Sequence, residues 1–165
     1  MSGVNGLRIR AATPADVPLV LRFIRELAAY ERLTHEVVAT EALLDAWLFG
    51  SRPAAEVVLA ELDGEAVGFA LSFTTFSTFL ARPGIWLEDL YVRPEARGRG
   101  VGRALLAYLA HLTVERGYGR LEWAVLDWNE PAIGFYRRLG AVAMSDWTTW
   151  RLTGPSLAAL ASGEA

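Results

Sequence analysis

The run Glu88-Asp89-Leu90-Tyr91-Val92-Arg93-Pro94-Glu95-Ala96-Arg97-Gly98-Arg99-Gly100-Val101-Gly102 constrains this chain more than any other segment. A β-type stretch ends in a turn, glycines alternate with basic or apolar residues, and a long apolar-periodic helix follows. Gly98, Gly100 and Gly102 leave backbone N–H groups unshielded near a helix N-terminus, where orphan donors and the helix dipole favour an anion. Arg97, Arg99 and Arg103 add positive charge, and each offers several donors to phosphate oxygens. The segment reads as a pyrophosphate cradle, or more plainly as a glycine-rich turn with solvated arginines. It matches neither G-x-x-x-x-G-K-[ST] nor G-x-G-x-x-G, so a triphosphatase loop and a dinucleotide fingerprint are both set aside.

The rest of the chain supplies alternating elements. Residues 7–12 read as a strand, and Thr13-Pro14-Ala15-Asp16 as a helix start, with a Thr cap and an acid three residues on. Val17, Val20, Leu21, Ile24, Leu27 and Ala28 then recur at helical spacing to about Tyr30. A second helix starts at Thr40 and closes at Gly50. Strands over 56–62 and 66–74 flank Asp63-Gly64, a strong hairpin signal. Residues 76–84 read as a mobile loop, and 85–92 as the next strand. The long helix covers about 100–116, followed by a strand at 120–126 and a helix at about 130–139 closed by Gly140. A final strand pair is expected around 141–144 and 147–152. The order β-α-α-β-β-β-α-β-α-β-β predicts a mixed α/β fold, a central mixed sheet flanked by helices. One domain is expected over 1–165, with a core at about 7–152 and a flexible tail at about 154–165 that starts with a helical tendency at Ser156.

Composition narrows the chemistry. At 53% apolar and 21% charged residues, long disorder is improbable. The formal charge of −3 argues against general nucleic-acid binding. With no cysteine there is no disulfide scaffold, no thiol nucleophile and no thiolate metal site. His35 and His111 are the only histidines, too few for a histidine-built metal centre, so no metal is expected. No run of about 18 apolar residues is free of charge or turn residues, and no secretory pattern opens the chain. A cytoplasmic protein without a membrane partner is expected.

At Arg97-Gly98-Arg99-Gly100-Val101-Gly102 the chain resembles the GNAT acyl-CoA-dependent N-acetyltransferases, whose [Arg/Gln]-x-x-Gly-x-[Gly/Ala] motif follows a central strand. Within them it is similar to the diamine group: the spermidine/spermine enzymes and the thialysine N-epsilon-acetyltransferases. The residues carrying this are Leu27-Ala28-Ala29-Tyr30-Glu31, Leu87-Glu88-Asp89, and the block from Asp127-Trp128-Asn129-Glu130-Pro131 to Phe135-Tyr136 and Leu139-Gly140-Ala141. The resemblance covers nearly the whole chain. It implies acetyl-CoA as co-substrate, a small primary amine as acceptor and a homodimer.

It also implies roles for particular residues. Arg97, Gly98, Arg99, Gly100, Val101, Gly102 and Arg103 would bind the CoA pyrophosphate. Backbone groups at Leu90, Tyr91 and Val92 would pair with pantetheine, and an N–H near Leu90 would stabilise the oxyanion. Glu88 would relay the amine proton through water, and Asp89 would sit near the substrate's cationic end. Alternation along a strand puts Glu88 and Asp89 on opposite faces, against a paired role on one atom. Tyr136 would protonate the departing thiolate, since a phenol with an ordinary pKa near 10 can donate to a basic sulfur. Asn129 would bind pantetheine, cap the helix before Glu130-Pro131, or both. On the acceptor side stand Tyr30 and Glu31, with Glu31 holding a distal ammonium. Ser77 and Thr78 replace the loop acid of the polyamine enzymes, which favours the thialysine-type relatives. Acetylation of a protein or peptide, and a non-catalytic CoA-binding regulator, remain the alternatives.

Overall fold

The computed structural model describes residues 6–163. The chain forms two compact units, one ending at Ala124 and the other starting at Val125. In the first unit the strands are β1 (Leu7–Ala11), β2 (Glu56–Leu62), β3 (Glu65–Ser77), β4 (Arg82–Val92) and β5 (Leu121–Trp123). Its helices are α1 (Val17–Tyr30), α2 (Glu41–Phe49) and α3 (Val101–Glu115). The second unit holds α4 (Glu130–Arg138) and α5 (Gly154–Ser162). The five strands form one sheet in chain order, antiparallel except for the parallel β4–β5 pair. This is the mixed α/β sheet with helices that the element order predicts.

Local chemistry explains the boundaries. Ahead of α1, the Asp16 carboxylate accepts the Thr13 N–H at 2.8 Å. Arg10 donates to that carboxylate at 2.7 Å and holds it well below the usual carboxylate range. The Thr40 hydroxyl accepts the Leu43 N–H at 3.2 Å and opens α2. Asp63 and Gly64 have φ of 54° and 86°, the left-handed pair that a two-residue hairpin turn requires. On one sheet face, Val20, Phe23 and Leu27 of α1 and Leu48 of α2 meet Val57, Leu59, Phe69 and Tyr91. There the Phe23 and Phe69 rings stack with centroids 5.6 Å apart. In α3, Val101, Leu105, Leu106 and Leu109 are buried in turn.

Three expectations are corrected. The loop expected at 76–84 is a hairpin: β3 and β4 pair as far as Ser77 opposite Arg82. Alternating aromatic and β-branched residues extend the ladder, and the Ser77 hydroxyl accepts the Leu80 N–H at 3.2 Å to close the turn. The strand expected at 120–126 shortens to Leu121–Trp123, because its ladder with β4 stops at Leu87. The strand pair expected at 141–144 and 147–152 is absent: strand-favouring side chains form a strand only where a partner edge pairs with them. Their apolar side chains stay exposed, Val142 at 83% and Trp150 at 91%. The C-terminal segment is helical over Gly154–Ser162, with proline in its first turn and Gly163 at φ 79° closing it.

Candidate active site

One irregularity in β4 builds the site. Asp89 pairs with Leu71 and Leu87 with Ser72, so Glu88 has no opposite residue on β3. Such a bulge sets two residues of one strand against one of the other and re-aims their side chains. The alternation that puts Glu88 and Asp89 on opposite faces therefore fails here. Both carboxylates line one open pocket of about 400 Å³.

The pocket has an apolar wall and an acidic lining. Ile24, Leu27 and Ala28 come from α1, and Leu33, Val37, Val38 and Ala39 from the segment that joins α1 to α2. Four carboxylates complete it: Glu31, Glu36, Glu88 and Asp89. Among the described residues, no basic side chain is in the lining. Burial, then the charges of Glu88 and Glu31, push the Asp89 carboxyl up to about 6. Burial also raises that of Glu31. The exposed Glu88 carboxylate is steadied by the Trp86 indole, whose N–H donates to it at 2.9 Å. A lining of this kind can attract a cation, and the buried Asp89 carboxyl can exchange a proton near pH 6.

A free strand edge adjoins the bulge. β5 pairs only with Ile85, Trp86 and Leu87, so on that side residues 88–92 have no ladder partner among the described residues. On the other side Leu90, Tyr91 and Val92 are paired with Ala70, Phe69 and Gly68. The chain then turns into α3. Gly98 and Gly100 have φ of 73° and 82°, a backbone that glycine adopts without penalty, and Gly100 is the α3 N-cap. The Arg97 Nε donates to the Val92 carbonyl at 2.9 Å, and its guanidinium lies 4.7 Å from the Tyr30 ring centroid. Arg97 thus ties the end of β4 to the turn. Arg99 reaches Asp63 at 3.9 Å, and Arg103 is exposed on α3.

In the second unit the Asn129 side chain accepts the Ala132 N–H at 3.4 Å and caps α4. Tyr136 lies near the end of that helix, its ring centroid 5.4 Å from that of Phe135.

Of the acceptor-side residues read from the sequence, Glu31 and Asp89 line the pocket; Tyr30, Ser77 and Thr78 do not. Tyr30 packs under Arg97, and Ser77 caps the β3–β4 turn. Sequence reasoning missed Glu36 and the apolar segment at 37–39. The available signal was an apolar run in a connection between helices, where solvent-facing residues are the rule.

The model of the acetyltransferase (GNAT) family matches residues 21–141. The L-ornithine N5-acetyltransferase NATA1 of Arabidopsis thaliana is 36% identical over 93% of this chain and 87% of its own. The thialysine N-epsilon-acetyltransferase of Bos taurus is 38% identical over 93% of this chain and 96% of its own. Among solved structures, an integron cassette protein from the mobile metagenome of V. cholerae superposes with a TM-score of 0.78. It is 27% identical, and the match covers 94% of this chain and 98% of that one.

Proposed function

This chain belongs to the acetyltransferase (GNAT) family, and on that premise we propose that it moves an acetyl group from acetyl-CoA to a small aliphatic primary amine whose ammonium is drawn into the carboxylate pocket. It is an acetyl-CoA-dependent acetyltransferase of a small amine; the proposal concerns the acceptor and the residues that act. The observation that carries it is the bulge at Glu88, which sets two carboxylates in one pocket beside an unpaired strand edge.

The residues present fit such a co-substrate. Glycines with left-handed backbones precede α3, and the 88–92 edge offers main-chain donors and acceptors to an extended amide-bearing arm. Acetyl-CoA supplies an acyl carbon activated as a thioester. An alkylammonium has an ordinary pKa near 10.4 and cannot attack while protonated. Asp89 holds the ammonium, and Glu88, fixed by Trp86, accepts its proton through water. The nitrogen–carbon bond then forms as the carbon–sulfur bond breaks. A backbone N–H near Leu90 donates to the carbonyl oxygen as charge grows there. Tyr136 returns a proton to the departing sulfur, so one proton leaves nitrogen and one arrives at sulfur. These roles for Glu88, Leu90 and Tyr136 rest on the matched family blocks.

Gly102 separates the cradle from the fold. A methyl there meets only the Val92 side chain, at an ordinary 3.8 Å, and Gly102 has no left-handed backbone to lose. Gly102→Ala is therefore expected to leave the melting temperature unchanged or slightly raised, and to weaken CoA binding roughly tenfold by intruding on the phosphates. Calorimetric titration with CoA checks this; unchanged affinity removes Gly102 from the cradle.

The acceptor class is tested by following free thiol with acetyl-CoA and either small diamines and amino acids or a lysine peptide. Small amines are expected to drive release; preferential turnover of the peptide would refute the reading. The exposed Val142, Met144, Trp147 and Trp150 support pairing with a second copy. Light scattering is expected to return twice the chain mass, and a monomer would oppose this.

A further inference from the structure

We propose that Tyr30 is a positioning residue for the co-substrate: together with Tyr91 it fixes the Arg97 guanidinium against two aromatic rings, so that Arg97 meets the CoA phosphates with its charge and its terminal donors intact. The inference rests on the acetyltransferase reading above and assigns a residue to its cradle.

Three arginines flank the turn between β4 and α3, and they are held in different ways. Arg93 pairs with Glu26 and Glu65, each at 3.4 Å, and lies 5.1 Å from the Phe23 ring centroid. Arg99 reaches Asp63 at 3.9 Å. Arg97 is held by rings and a carbonyl instead. Its guanidinium carbon is 4.7 Å from the Tyr30 ring centroid and 5.8 Å from that of Tyr91. Its Nε donates to the Val92 carbonyl at 2.9 Å. A carboxylate partner offsets an arginine's charge and takes up its donors, whereas an aromatic face orients the guanidinium and leaves both to a ligand. Of the five N–H donors one is used on Val92, and the four terminal ones form the planar fork that matches phosphate oxygens.

The platform follows from how α1 is laid down. Tyr91 is buried in β4, its ring centroid 6.0 Å from that of Phe23. Tyr30 ends α1 on the face that also carries Phe23 and Glu26, at i, i+3 and i+7. These three side chains meet Arg93 and Arg97 in turn, so α1 grips the chain on both sides of Pro94–Ala96. The neighbouring face of α1, with Ile24, Leu27, Ala28 and the following Glu31, lines the acceptor pocket. One helix thus serves both substrates, and Tyr30 belongs to its co-substrate face.

Calorimetric titration with CoA tests this without turnover. Tyr30→Leu is expected to weaken CoA binding about threefold to tenfold, while Tyr30→Phe, which keeps the ring, should retain the affinity. Arg97→Gln should weaken it by about tenfold or more. Adding Tyr30→Leu to Arg97→Gln should then cause no further loss, since the ring has no cation left to orient. In assays with one amine acceptor, Tyr30→Leu should raise the KM for acetyl-CoA and leave that for S-acetylpantetheine, a thioester without phosphates, unchanged. A loss shared by both thioesters would mark general damage to the fold and overturn the inference. So would independent, additive losses in the double variant, or unchanged CoA affinity in Tyr30→Leu with a raised acceptor KM, which would return Tyr30 to the acceptor side. Normal CoA binding without thiol release for any amine would refute the acetyltransferase reading while the binding cycle still decides the role of Tyr30. No CoA binding by the unaltered protein would overturn both.

Discussion

Replacing Asp89 with asparagine is expected to make the protein more stable and the enzyme slower. Burial and the neighbouring acids push the Asp89 carboxyl up to about 6, against an ordinary value near 3.9 in the unfolded chain. Between those values the folded protein binds more protons than the unfolded chain. With respect to this group, stability is therefore greatest below about pH 4, falls as pH rises to 6, and is flat above. At pH 7 to 8 the ionised group costs of order 2–3 kcal/mol, which asparagine removes at nearly the same volume. For a chain of this size that corresponds to a rise in melting temperature of roughly 5–10 °C. Melting curves of both proteins from pH 4 to 8 should diverge as pH rises and meet near pH 4. Parallel curves would show that Asp89 is not held in a strained ionised state. The gain comes with lost function: removing one charge-assisted contact should raise KM for a cationic acceptor by about tenfold to a hundredfold. A stabilised variant with unchanged KM would move the acceptor's ammonium away from Asp89.

Tyr136→Phe is expected to have the larger catalytic effect. A positioned proton donor commonly contributes a factor of 10² to 10⁴, so kcat should fall by about a hundredfold or more. Affinity for acetyl-CoA should change little, because phenylalanine keeps the ring beside Phe135 and leaves the Asn129 cap of α4 intact. The pattern to look for is kcat falling with the CoA dissociation constant held. Retained turnover would reduce Tyr136 to a packing residue of α4.

The parts of this molecule governed by short-range chemistry were legible in the sequence. Asp63-Gly64 makes the turn its residues demand, and Thr40 caps α2. The chemistry of the pocket was less so. Strand periodicity separates Glu88 from Asp89, and only the pairing register reveals that a bulge reunites them. A bulge depends on two strands at once, so no local pattern in β4 announces it. The same holds for Glu36, whose place in the pocket follows from how the α1–α2 connection folds back, not from its neighbours in the chain. In the opposite direction, residues 141–152 carry strand-favouring valine, threonine and tryptophan and yet show no strand. A side-chain pattern sets which face a strand would bury, while the partner edge is supplied by tertiary structure.

The most direct measurement of the central claim is the balance between thiol released and amine acetylated in one reaction. Purified protein, acetyl-CoA and a diamine would be mixed, free thiol followed by absorbance, and acetylated product counted by mass spectrometry. The account predicts one acetylated amine for each thiol, no acetyl group left on the protein, and no thiol release without amine. Thiol released without acetylated amine, or acetyl groups gathered on the protein, would contradict direct transfer to an amine held in the carboxylate pocket.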